Sequence, residues 1–148
     1  MGHRAEGKDQ GYMIKFRFQD LRIWQLSIEV ADKLFDIADS LEEKRLYRFA
    51  EQLRGAGMSM SNNISEGSGS DSKKEFKQFL NIARRSTFEN ANILILLFRR
   101  KLISEERLND LLTELDRLCR QITSLQKTLI KKIASMPFSL CPMLNSCG

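Results

Sequence analysis

Between residues 20 and 133, apolar positions recur at alternating spacings of three and four, the signature of one face of an α-helix. Leu21, Trp24, Ile28, Ala31, Phe35 and Ala38 make one stripe, and Ile23, Val30, Leu34 and Ile37 make a second beside it. They predict a first helix over 20–40 whose apolar face is wider than a lone surface helix needs. Ser40-Leu41-Glu42-Glu43 fits a capping box, so a second helix is expected to begin at 41 or 42 and run to 65. Within it Leu53, Ala56, Met60 and Ile64 share a face. Glu66-Gly67-Ser68-Gly69-Ser70-Asp71 reads as a helix stop and a loop. Ser72-Lys73-Lys74-Glu75 offers another capping box, opening a third helix over 73–101. That helix is expected to bury Phe76, Leu80, Ala83, Thr87, Asn90, Leu94 and Phe98, with Phe79, Ile82, Ile93 and Leu97 beside them. Ser104-Glu105-Glu106 supplies a hydroxyl cap and first-turn acids for a fourth helix. Its stripe runs through Leu108, Leu111, Leu115, Leu118, Ile122, Leu125, Leu129 and Ile133, and Lys131 and Lys132 suit its C-terminal dipole.

Four amphipathic helices with short connections imply an all-α, antiparallel up-down-up-down four-helix bundle. The 148-residue chain reads as one domain, with the bundle over 16–135. Residues 1–15 carry no sustained pattern and are expected to be mobile. Residues 136–148 form an apolar tail in which Pro137 and Pro142 prevent helical continuation. The doubled stripes on the first and third helices exceed what one small bundle buries, which predicts self-association.

Composition removes several alternatives. No apolar run reaches the roughly 18 residues of a membrane span, and the N-terminus lacks the apolar stretch of a signal peptide. Three cysteines without paired spacing suit a reducing cytoplasm rather than a disulfide framework. His3 is the only histidine, so the bundle holds no histidine base, no Ser-His or Cys-His pair and no Glu-x-x-His metal motif. Gly67-Ser68-Gly69 follows a helix rather than a strand, which argues against a phosphate-binding P-loop. The remaining catalytic arrangement is a carboxylate site drawn from Glu66, Asp71 and Glu89, which needs convergence that the sequence does not indicate. No cofactor or metal is expected.

The net charge of +5 and pI near 9.3 permit attraction to polyanions. The basic residues of the third helix concentrate that charge. Lys73, Lys74, Lys77, Arg84, Arg85, Arg99, Arg100 and Lys101 are opposed only by Glu75 and Glu89; of these, Lys73, Lys77 and Arg84 fall on one face and Lys74 and Arg85 on the neighbouring strip. Such a stripe can follow nucleic-acid phosphates, and it can equally be a solvated outer face. Arg45, Arg48 and Arg54 are candidates to extend it. Gln52, Asn63 and Glu66 near the end of the second helix admit two readings: a polar network that fixes helix register, with Arg54 as a partner, or the lining of a ligand or RNA pocket. Trp24 shares a stripe with Leu21 and Ile28 and is assigned to packing rather than base stacking.

Three blocks of residues carry a resemblance. Phe18-Gln19-Asp20-Leu21-Arg22-Ile23-Trp24-Gln25 opens the first. Gln52-Leu53-Arg54, Ser59 and Asn63-Ile64-Ser65-Glu66-Gly67 form the second. Phe79-Leu80-Asn81-Ile82-Ala83, with Ser86 and Glu89, forms the third. In this order, over roughly 18–129, they resemble the four helix bundle protein family, also called 23S rRNA intervening-sequence proteins. The chain departs from the family pattern at Gly55, where a second Arg is expected, at Ser61 in place of Pro, and at Arg85 in place of Gly. The resemblance implies a ring-like homopentamer, in which a basic patch is repeated and its binding made avid. It extends distantly to accessory proteins of diversity-generating retroelements, which partner a reverse transcriptase and its RNA. The expected function is a non-enzymatic, oligomeric scaffold that contacts RNA or DNA, above all structured RNA or an RNA–protein complex. The alternative is a protein-interaction adaptor without a nucleic-acid role.

Overall fold

The structure, a computed structural model, describes residues 14–134. The segments 1–13 and 135–148 and the side chains of Ile133 and Ala134 lie outside the described residues, and with them the apolar tail and all of the expected mobile N-terminal segment but residues 14 and 15. A 3₁₀ turn over Arg17–Asp20 leads into four helices: α1 over Arg22–Glu43, α2 over Tyr47–Ser68, α3 over Lys73–Arg99 and α4 over Glu105–Ala134. Consecutive helices pack against each other through short connections, and α4 closes back on α1 more loosely. Lys33 Nζ of α1 meets Glu114 Oε1 of α4 at 2.5 Å across that closure. The core is a column of aliphatic side chains in which Leu34, Leu53, Met60, Ile64, Leu80, Leu94, Leu97, Leu118 and Ile122 have no exposed surface.

The first connection lies later than expected. Ser40 does not cap a helix: α1 continues to Glu43, because Leu41 is buried one turn beyond Ile37 on the same stripe. The chain then turns through Arg45, at φ 61°. Arg45 N–H donates to Glu42 O and Leu46 N–H to Leu41 O, both at 2.9 Å, the paired bonds of a Schellman ending. α3 ends the same way through Lys101, at φ 63°, with Lys101 N–H donating to Phe98 O and Leu102 N–H to Leu97 O. Leu46 and Leu102, the residues after each turn, pack on the core. The expected starts of α3 and α4 match their observed caps. Ser72 Oγ accepts from Glu75 N–H and Ser104 Oγ from Arg107 N–H, each at 3.1 Å.

The second stripe of α1 is buried, whereas of the first only Ala31 and Ala38 are buried and Leu21, Trp24, Ile28 and Phe35 are half-buried. Phe35 reaches the α2 backbone at Gly57, and Trp24 packs on the core with its ring 5.1 Å from that of Phe18. On α3 the outcome differs: Ile82, Phe88, Ile95 and Leu96 remain exposed.

Candidate nucleic-acid interface

The α2–α3 contact is built on small and polar residues. Asn63 Nδ2 donates to Ser59 O at 2.7 Å and to Ser59 Oγ at 3.1 Å. Ser86 donates to Ile82 O at 3.0 Å, which leaves its oxygen to accept from Ser59 Oγ–H at 2.8 Å. One turn on, the fully buried Asn90 donates through Nδ2 to Ala56 O across the interface and to Ser86 O, both at 2.8 Å. The seam fixes the register of α3 on α2 through the Asn90 Nδ2 and Ser59–Ser86 bonds, while Asn90 Oδ1 is buried with no hydrogen-bond partner. Of the three residues expected to form a network, Asn63 enters this seam. Gln52 and Glu66 lie on exposed surface outside it. Ser59, Ser86 and Asn90 are the partners instead, and their spacing of three or four along each helix is the signal that could have grouped them.

Arg54 has a different role from the one its charge suggested. Its Nη2 contacts Asp39 Oδ1 at 2.7 Å and Glu42 Oε2 at 2.6 Å. The hydrogen bonds it donates to Asp39 and then Glu42 push its pKa up from an already high value. The guanidinium therefore stays charged and engaged with α1 across the neutral range. Arg45 and Arg48 do not extend the α3 stripe either. They sit at the α1–α2 connection, the bundle end away from Lys73.

The basic residues of α3 stay together. Lys73 and Arg85 are exposed, while Lys74, Lys77 and Arg84 are half-buried. Gln126 Nε2 of α4 donates to Lys77 O at 3.3 Å, which sets α4 antiparallel beside this stretch. That register brings α4's Lys127 and Lys131 to the same end as Lys73, Lys74 and Lys77, two contributors the linear reading did not group. Arg84 is held on both sides: its Nη2 donates to Asn81 Oδ1 at 3.2 Å, and its guanidinium lies 5.8 Å from the centroid of the Phe88 ring. An Arg–aromatic pair of this kind orients the cation as well as stabilising it.

Charge divides along the bundle diagonal. α1 carries six acids against two bases, and α3 six bases against two acids. Since both α1 and α3 border α2 and α4, they occupy opposite corners. The molecule thus has an acidic edge and a basic edge. At the end of the bundle, Phe16, Arg17 and Phe18 face Ser65, Glu66, Ser68 and Gly69 around an open depression, where Arg17 Nη2 donates to Ser68 O. Among the described residues no group of three His, Cys, Asp or Glu side chains comes together as a metal site, so Glu66, Asp71 and Glu89 do not converge. No described helix is long and apolar enough to cross a membrane.

A crystal structure from Bacteroides thetaiotaomicron, described as a protein of unknown function from the S23 ribosomal protein family, shares this fold. It has a TM-score of 0.68 and 24% identity, covering 71% of this chain and 98% of its own. Curated proteins offer no match to this chain. The profile of the 23S rRNA-intervening sequence protein family matches residues 19–124, spanning the polar seam and most of the bundle, and the chain belongs to that family.

Proposed function

We propose that this protein is a non-enzymatic, self-associating scaffold that contacts structured RNA, alone or within an RNA–protein complex, through the basic edge of α3. The observation that carries the reading is the clustering of Lys73, Lys74, Lys77, Arg84 and Arg85 on one helix with only two acids. Surface cations so arranged bind phosphates by releasing counterions. A reverse transcriptase or another nucleic-acid-processing protein is the kind of enzyme such a scaffold would serve in the cytoplasm.

Self-association is supported by Ile82, Ile95 and Leu96, large apolar side chains left exposed on α3. A ring of copies would repeat the basic edge and turn weak contacts into avid ones. A homopentamer is the assembly this reading favours.

Light scattering coupled to size exclusion, with and without a structured-RNA pool at low and high salt, tests both parts. The expected particle has several subunits, carries RNA at low salt and sheds it at high salt. Replacing Lys73 or Lys77 with Ala should lower the slope of log affinity against log salt by about one each, whereas Arg54→Ala should leave it unchanged. A multimer that ignores RNA at every salt concentration would point to the adaptor role instead. A monomer would remove the avidity argument.

A further inference from the structure

We infer that Phe88 and Arg84 form a stacking platform that binds an unpaired RNA base, so that the basic edge selects single-stranded loops over paired stems. This rests on the nucleic-acid reading of α3 and specifies its ligand. Phe88 is the one exposed aromatic of α3, with 59% of its surface accessible. It lies one turn from Arg84 on the side of the helix that carries Lys77. An exposed phenyl ring gains nothing from water, and no seam or core contact uses it.

The arrangement around the ring is organised. The Arg84 guanidinium is anchored by Asn81 Oδ1 and lies against Phe88, so a planar cation and an aromatic ring share one short surface. Lys77 lies two turns before Arg84, about 10 Å by helical rise, and Arg85 adds a charge on the adjacent strip. Cations spaced along a helix that leads to an exposed aromatic ring match the needs of a single strand, whose phosphates seek charge and whose bases seek a π-face. Paired RNA offers no such base: its stacked faces are covered, and its major groove is too narrow for side chains to read. The nearest acid in the chain, the exposed Glu89, lies about 100° round the helix from Phe88 and four residues after Arg85, the spacing of an i,i+4 ion pair; Asp116 of α4 is engaged by Arg120 Nε at 2.8 Å.

The test compares a labelled 12-nucleotide single-stranded RNA with a 12-base-pair RNA duplex, by fluorescence anisotropy at several salt concentrations on the full chain. Phe88→Ala should weaken single-strand binding by about fivefold or more, leave duplex binding unchanged, and leave the salt slope unchanged. Phe88→Trp should restore the affinity, with quenching of the new indole on binding. Arg84→Lys, which keeps the charge and loses the plane, should reproduce part of the Phe88→Ala loss. Equal loss on both probes, or no loss on either, would overturn the platform while leaving the phosphate reading intact. Absence of binding to both probes by the unaltered chain would overturn both. If Phe88→Ala changes the particle mass in light scattering and not the RNA affinity, the ring belongs to a protein contact and the inference fails.

Discussion

Two glycines of α2 show how strongly local surroundings decide the meaning of one residue type. Gly67 faces α3 so closely that an added Cβ would lie 2.6 Å from Phe79 Cβ and 2.9 Å from Phe76 Cδ1. Phe79 Cβ is tied to its own backbone and cannot swing aside, so α2 and α3 would have to separate. Gly67→Ala is expected to destabilise the fold by about 1–3 kcal/mol. Gly55 has nothing within 4 Å of its added Cβ and lies on the exposed face of α2. Gly55→Ala should therefore stabilise by about 0.5–1 kcal/mol, through reduced freedom of the unfolded chain. Denaturant unfolding of the two variants checks the opposite signs. Equal effects would mean that the α2–α3 approach at Gly67 is not as tight as described. The same space argument bears on the family departure at Gly55: a long side chain there would extend into solvent without disturbing the bundle.

At the scale of the element, the helix starts and helix ends are governed by different chemistry. The α3 and α4 starts use serine caps at Ser72 and Ser104, which were legible because the hydroxyl and the acids after it stand together in sequence. The α1 and α3 ends place Arg45 and Lys101 in the left-handed region, where a Cβ costs roughly 1–2 kcal/mol. No glycine marks either position, so the turns could not be read from turn-forming residues. Lys101→Gly is expected to raise stability by up to about 1 kcal/mol, the relief of strain offset by greater unfolded-state freedom. Thermal unfolding at matched ionic strength tests this, and a lower melting temperature would show that the Lys101 side chain contributes more than its backbone strain costs. Arg54 acts at this scale too. Its bonds to Asp39 and Glu42 join α2 to α1, so a cation that the sequence offered both to a phosphate stripe and to a structural network serves as a helix-to-helix tie.

For the whole molecule, the separation of charge between α1 and α3 matters more than the net value of +5. A polyanion approaching the basic edge is attracted, and one approaching α1 is repelled. Arg85→Glu and Glu43→Lys alter charge by the same amount in opposite directions on opposite corners. At low salt, Arg85→Glu should slow RNA association by roughly up to tenfold, and Glu43→Lys should speed it by clearly less. Both effects should shrink as salt is raised and the screening length falls. Stopped-flow association rates decide the matter. Equal and opposite changes would mean that only net charge counts and that no face is preferred.

The sequence by itself determined the four helices, their approximate spans and the up-down-up-down order, because apolar spacing of three and four is a local property that each segment carries on its own. It also determined that chemistry based on histidine is absent from the bundle, and that α3 concentrates basic residues. Tertiary structure decided which of those residues remain available. Arg54 and Asp39 stand 15 residues apart, and Asn90 and Ala56 stand 34 apart; no periodicity within one helix reveals such pairs. The same holds for the exposure of Phe88 and for the placing of Lys127 and Lys131 at the bundle end that carries Lys73, Lys74 and Lys77. These follow from the rotation and register of one helix against another, which are fixed by the packing at Gly67, by the Ser59–Ser86–Asn90 seam and by the bond from Gln126 to Lys77 O. Residue spacing reports the face of a helix, and only the neighbouring helix determines whether that face is covered, paired or left open to a partner.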